Sequence, residues 1–105
     1  MSGFATFHDL KDASVFITGG GAGIGAALTE GFLAQGCRVA FVQRSDASQS
    51  AEKMGEKYGH APIFLPCDIS DVAALQKAME MGAEANGPFS VLVNNAANDT
   101  RHELH

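Results

Sequence analysis

Between Thr18 and Gly25 the sequence reads TGGGAGIG, directly after the β-rich run SVFIT at Ser14–Thr18. Glycines occupy positions 19, 20, 21, 23 and 25. Glycine loses more backbone freedom on folding than any other residue, and an ordinary turn needs only one or two of them. A turn that leaves a parallel strand and opens a helix is a phosphate-binding position. The helix start presents unpaired N–H groups and a partial positive charge, and glycine lets the backbone approach a pyrophosphate with no Cβ in the way.

The spacing narrows the ligand. A Walker A loop requires Lys-Ser/Thr after its last glycine. Gly20–Gly25 has the right spacing but is followed by Ala26-Ala27, which argues against ATP or GTP hydrolysis. A methyltransferase-like loop would want an acid before the glycines and another ending the second strand, where this chain has Ile17-Thr18 and Gln43. Gly21-Ala22-Gly23-Ile24-Gly25-Ala26 satisfies the loose GxGxxA dinucleotide fingerprint.

The elements around the turn are legible from periodicity and punctuation. A helix is expected from Gly23 to Gln35, with Ile24, Leu28 and Phe32 on one face and Gly36 as its stop. Arg38–Gln43 reads as a second strand. Asp46 is a candidate cap for a second helix, with Gln49 completing an imperfect capping box, Ala47, Ala51, Met54 and Tyr58 facing inward, and Gly59 ending it. Pro62–Pro66 is a third strand. Ser70 is expected to cap a third helix reaching Asn86, with Val72, Leu75 and Met79 on its inner stripe. Phe89–Asn94 is a fourth strand. This β-α-β-α-β-α-β alternation calls for an α/β fold with a parallel sheet and right-handed crossovers. The nearly continuous apolar runs VFI, VAFV, IFL and VLV suit strands buried on both faces. The expected strand order is 3-2-1-4, one incomplete half of a doubly wound, Rossmann-type fold, with residues 1–105 forming a single dinucleotide-binding region.

Three motifs at successive strand ends carry a family resemblance. Thr18–Gly25 fits TGxxxGxG, Cys67-Asp68-Ile69 follows the third strand, and Asn94-Asn95-Ala96-Ala97 ends the fourth. In these the chain resembles the N-terminal half of the short-chain dehydrogenases/reductases. The wider stretch NNAANDTRH is similar to a subgroup that includes bacterial sugar 1-dehydrogenases. The resemblance implies an oxidoreductase moving hydride between a nicotinamide cofactor and an alcohol or carbonyl, a sugar where the subgroup is followed, and a homotetramer. It implies cofactor contacts from Thr18, Gly19, Gly21, Ala22, Gly23, Ile24 and Gly25 in the turn. It also implies contacts from Asp68 and Ile69 beside the adenine, and from Asn95, Ala96 and Ala97 near the ribose and nicotinamide. Ala97 stands where the family has glycine. Asn94 is expected to bond the backbone of a neighbouring strand, and Asp68 has a second expected role in the dipole field of the helix that follows.

The end of the second strand chooses between cofactors, because an acid there holds the ribose 2′-hydroxyl and repels a 2′-phosphate. Here Gln43 carries no charge, Arg44 offers forked donors and Ser45 adds another. NADP is the preferred reading over NAD; Asp46 would oppose it if it faced the ribose. The family's Tyr-x-x-x-Lys is not found: the single tyrosine, Tyr58, is followed four positions on by Pro62. No catalytic residue is assigned. A non-catalytic dinucleotide-binding module is the alternative.

Composition sets the outer bounds. With 46% hydrophobic residues among 105 and a net charge of −5, a core is expected and nucleic acid is a poor partner. No apolar run approaches the ~18 residues of a membrane span, and MSGFATFHDLKD lacks the pattern of a secretory signal. Cys37 and Cys67 are expected at opposite edges of the sheet, about 15 Å apart at ~3.3 Å per residue, as free thiols of a cytoplasmic protein. His102 and His105 are three apart rather than the four of a zinc-binding HExxH, so no metal site is assigned. His8 and His60 read as surface residues. The polar stretch after Asn94 reads as a loop leading into further chain, and the expectation is a longer polypeptide.

Overall fold

The computed structural model describes residues 12–95. Four strands, β1 (Ser14–Thr18), β2 (Arg38–Gln43), β3 (Ile63–Pro66) and β4 (Val91–Asn94), alternate with three helices, α1 (Gly23–Ala34), α2 (Ser48–Tyr58) and α3 (Val72–Asn86). The sheet order is β3-β2-β1-β4 and every pairing is parallel, as the alternation implies. Thr18 lies beside both Val42 and Asn94, and Gln43 beside Pro66, so all four strands end along one edge.

The central strands match their continuous apolar runs. All five residues of β1 are buried, as are Val39–Val42 of β2. The outer strands depart from that expectation. β3 is half-buried, and β4 alternates half-buried and exposed residues, because each has a neighbour on one side only. One core, built on Val15, Ile17, Leu33, Val39, Phe41 and Met54, lies under α1 and α2. A smaller one, Phe16, Ala40, Val42, Cys67 and Ala78, lies under α3.

Two helix faces differ from the periodicity reading. Ile24 is 73% exposed, and the buried stripe of α1 is Gly25, Thr29 and Leu33, one position further on, with Leu28 and Phe32 flanking it. On α3, Val72 is 66% exposed, while Ala78 and Gly82 are buried and Leu75 and Met79 pack beside them. In both helices small residues let the backbone come close to the sheet, and the larger ones cover the flanks. The α2 face is as expected: Ala47, Ala51 and Met54 are buried and Tyr58 packs against them.

The helix starts also differ in detail. Ala47, not Asp46, occupies the cap position of α2 and gives no side-chain cap; the Asp46 carboxylate accepts the Ser48 amide at 3.0 Å in the turn that leads into the helix. For α3 the cap is Asp71, not Ser70. Its side chain accepts the Ala74 amide at 3.1 Å, a bond that Ser70, one residue earlier, is misplaced to make. Gly36 and Gly59 take the positive φ values, 86° and 85°, that follow the ends of α1 and α2.

Both cysteines are buried, and burial pushes both thiols up from their ordinary pKa. His60 is exposed, with Nε2 3.2 Å from the Cys37 carbonyl oxygen. No helix among the described residues is long and apolar enough to cross a membrane. His8, Ala96, Ala97, His102 and His105 lie outside the described residues.

Candidate functional site

The glycine turn leaves the end of β1 at the centre of the sheet, and neighbouring elements hold it from several sides. The Gly19 amide donates to the Val42 carbonyl at 2.6 Å, and the Gly19 carbonyl accepts the Asn95 side-chain amide at 3.2 Å. The fully buried Thr29 hydroxyl lies 3.0 Å from the Gly20 carbonyl and 2.9 Å from that of Gly25, tying the turn to the helix it opens. The Gly21 amide donates to Gln43 Oε1 at 2.9 Å.

This packing assigns the glycines separate duties. A Cβ on Gly20 would lie 2.6 Å from Phe41 Cβ, and one on Gly25 would overlap the Gly19 carbonyl. These two glycines therefore serve the closeness of the turn to its own strand and helix, rather than leaving room for a ligand. Gly19 and Gly23 serve conformation, with φ of 74° and 58°. Around Gly23 the space is open, and Ala22, Gly23 and Ile24 are all exposed. Ala22 caps α1 without any side-chain hydrogen bond, and no acid lies in the first turn. The first-turn amides thus face outward at the strand-end edge with no side-chain acceptor, the arrangement an anion can use.

At the end of β2, Gln43 does not stand free to meet a ribose. While Oε1 accepts from Gly21, Nε2 donates to the Ser45 carbonyl at 3.1 Å and to Ser45 Oγ at 3.0 Å. Arg44 is exposed and makes no hydrogen bond or ion pair among the described residues. The Asp46 carboxylate is turned to the Ser48 amide and hydroxyl, which hold its pKa below the ordinary value.

After β3, the Asp68 carboxylate accepts the Ser70 amide at 3.0 Å and the Ser70 hydroxyl at 2.7 Å. These bonds, and to a lesser degree the Arg44 charge, hold its pKa low. Asp68 is exposed and Ile69 half-buried. At the end of β4, the Asn94 side-chain oxygen accepts the Thr18 hydroxyl at 3.1 Å. The expectation of a bond to neighbouring backbone is corrected: the partner is a side chain on β1, because the parallel register sets the two residues side by side.

The structure therefore brings Thr18, Gly19, Gly21, Ala22, Gly23, Ile24, Gly25, Gln43, Arg44, Ser45, Asp68, Ile69 and Asn95 to the strand-end edge or the loops leaving it. Thr29 went unread from the sequence; its signal is a buried hydroxyl four residues after Gly25 on the helix face meeting the turn. Tyr58 lies on α2 with its hydroxyl donating to Glu30 at 2.8 Å, in the contact between α1 and α2.

A family model described as short chain dehydrogenase matches residues 13–105. The chain belongs to the short-chain dehydrogenase family. It is 47% identical over 100 residues to a probable galactose dehydrogenase of Rhizobium meliloti, covering 93% of this chain and 39% of that protein. It is 42% identical over 103 residues to the D-xylose 1-dehydrogenase of Caulobacter vibrioides, covering 95% and 39%. Among solved structures, L-sorbose reductase of Gluconobacter frateurii, complexed with NADPH and L-sorbose, superposes with a TM-score of 0.75 at 28% identity over 81% of this chain and 33% of that one. A short-chain dehydrogenase/reductase of Serratia marcescens gives 0.73 at 31% identity, over 82% and 36%. The chain thus spans 39% of the length of these two curated relatives.

Proposed function

We propose that this chain is the nucleotide-binding portion of a sugar dehydrogenase or reductase that uses NADP(H) in preference to NAD(H). One observation carries the reading: the first turn of α1 opens at the strand-end edge with no side-chain cap, and the turn before it is bonded to Gln43, which the exposed Arg44 follows. The amides of Ala22–Ile24 would receive the pyrophosphate, and Asp68 and Ile69 would border the adenine. Gln43 brings no charge against a 2′-phosphate, and Asp46 is engaged with Ser48. When bound, the nicotinamide supplies hydride exchange with an alcohol or carbonyl; the residues described here bind and orient. The sugar assignment is supported by the likeness to the galactose and D-xylose dehydrogenases and to the L-sorbose reductase. The residues that move the substrate proton would lie in a longer polypeptide that carries this chain.

Calorimetric titration with NADPH and NADH tests the cofactor choice. NADPH is expected to bind more tightly, and Arg44→Ala to weaken NADPH by about tenfold while changing NADH less than twofold, since a charge-assisted contact is lost from one ligand only. Equal losses for both cofactors would remove the 2′-phosphate role of Arg44. Turnover by the longer polypeptide separates the enzyme from a non-catalytic nucleotide-binding module: nucleotide binding with neither NADP reduction on galactose or xylose nor NADPH oxidation on sorbose would favour the module.

A further inference from the structure

Gln43 stands at the position where cofactor choice is made, yet its carboxamide is fully engaged with the protein. The orientation of that carboxamide follows from its partners. The Gly21 N–H can only donate, so the atom facing it at 2.9 Å is Oε1. The Ser45 carbonyl can only accept, so the atom facing it at 3.1 Å is Nε2. The second Nε2 hydrogen is directed to Ser45 Oγ at 3.0 Å. Gln43 therefore has no N–H left for a ligand, and a 2′-phosphate, whose oxygens accept, finds no donor in it.

The same geometry sets the polarity of Ser45. A hydroxyl that accepts from an amide keeps its own proton to donate. Among the described residues no acceptor takes that proton, and Ser45 is exposed beside Arg44. Resting on the NADP reading above, we propose that Gln43 is a positioning residue for 2′-phosphate selection. It ties the glycine turn to the β2–α2 loop and, by donating to Ser45 Oγ, leaves the Ser45 hydroxyl proton for a ligand. Gly21 is held in the same clamp, because a Cβ there would lie 2.7 Å from Ala47 Cβ and overlap the Gln43 carboxamide.

The test compares affinities for 2′,5′-ADP and ADP, which differ in the phosphate on the 2′-oxygen. The ratio of the two is the readout, because a general loosening of the turn weakens both together. Gln43→Met keeps the length and removes both ends of the clamp; Ser45→Ala removes the donor alone. Each is expected to reduce the preference for 2′,5′-ADP by about five- to tenfold, as befits one hydrogen bond to a charged group at an exposed site. The double variant should lose no more than either single one, since Gln43 acts through Ser45. Effects that multiply in the double variant, or a ratio untouched by Ser45→Ala, would overturn the proposal. Should Gln43→Met not fold, Ser45→Ala on the exposed loop still decides. If the unsubstituted protein binds neither nucleotide, the dinucleotide reading falls with the inference. If it binds both equally, the phosphate preference and this inference fall, and dinucleotide binding stands. If the preference is present but survives Ser45→Ala, only the inference falls.

Discussion

The two faces of the sheet are filled unequally, and β4 shows it residue by residue. Val91 and Val93 pack against the core under α1 and α2, whereas Leu92, pointing to the α3 side, is 64% exposed. Leu92 lies beside Phe16 in the register, and Phe16 is only 3% exposed because Phe89 and α3 cover it, with ring centroids 5.1 Å apart. Among the described residues two helices close one face, and one helix reaches only part of the other. The larger core anchors the strand ends and glycine turn through Phe41 and Thr29, and the thinner side carries the β4 end.

The largest expected effect breaks the better-filled face. Phe41 is fully buried, stacks on Phe64 at 5.3 Å, and has its Cβ against Gly20. Phe41→Ala should destabilise the protein by about 3–5 kcal/mol, through lost transfer energy plus a cavity. It should also loosen the turn enough to weaken nucleotide binding. Leu92→Ser, on the open side, should change stability by no more than about 0.5 kcal/mol. Chemical denaturation monitored by circular dichroism gives both values. Similar losses from the two substitutions would mean that Leu92 is covered in solution and that the faces are not unequal.

A smaller effect sharpens the comparison by changing sign between helices. Gly82 of α3 sits so close to the sheet that a Cβ would lie 3.1 Å from Ala40 Cβ and 2.9 Å from Phe89 Cζ. The Phe89 ring end can move; Ala40, fixed in a central strand, cannot. Gly82→Ala should cost about 1 kcal/mol net, the overpacking of about 1–3 kcal/mol being partly offset by the better helix former. Gly31 of α1 faces open space and is exposed, so Gly31→Ala should gain about 0.5–1 kcal/mol. A gain at both positions would show that α3 floats further from the sheet than the structure places it.

Sequence and structure agree best where the signal is local. Apolar runs bounded by Gly and Pro gave strands to within two residues, and strand order followed from parallel crossovers together with the family resemblance. The helix faces were legible only where large residues point inward, as on α2. On α1 and α3 the closest approach is made by Gly25, Thr29, Ala78 and Gly82, which carry little hydrophobic signal. The glycine turn was visible at once as a phosphate-binding candidate, but its bracing was not. The bonds from Gly21 to Gln43, and from Asn95 to Gly19, join residues 22 and 76 positions apart, and no local pattern announces them. The opposed needs of the turn, closeness at Gly20 and Gly25 against openness at Gly23, are likewise visible only once Phe41 and the Gly19 carbonyl are in place.

The smallest effect tests the two faces through their carboxylates. On the fuller face, Glu30 of α1 accepts from Tyr58 at 2.8 Å and from Lys57 at 3.1 Å, both on α2, and these bonds hold its pKa below the ordinary value. On the thinner face, Asp68 is held low chiefly by the Ser70 hydroxyl and amide, within its own turn. A carboxyl with a depressed native pKa contributes stability that is complete above its unfolded pKa, about 4 for these residues, and is lost as pH falls through the native value. Both contributions should therefore fade as pH drops below about 4, and both are complete and independent of pH near neutrality. They differ in what they join. Tyr58→Phe removes the leading cause at Glu30 and loosens a contact between two helices, so it should raise the Glu30 pKa and flatten the acid loss of global stability. Ser70→Ala should raise the Asp68 pKa and flatten its own share of the acid loss, while leaving the contact between α1 and α2 intact. Carboxyl-carbon NMR titrations, with denaturation midpoints at pH 3 and 5, measure both. A Glu30 titration unmoved by Tyr58→Phe would mean that the Tyr58 hydroxyl does not hold the α1–α2 contact, which would then rest on Lys57 and apolar packing.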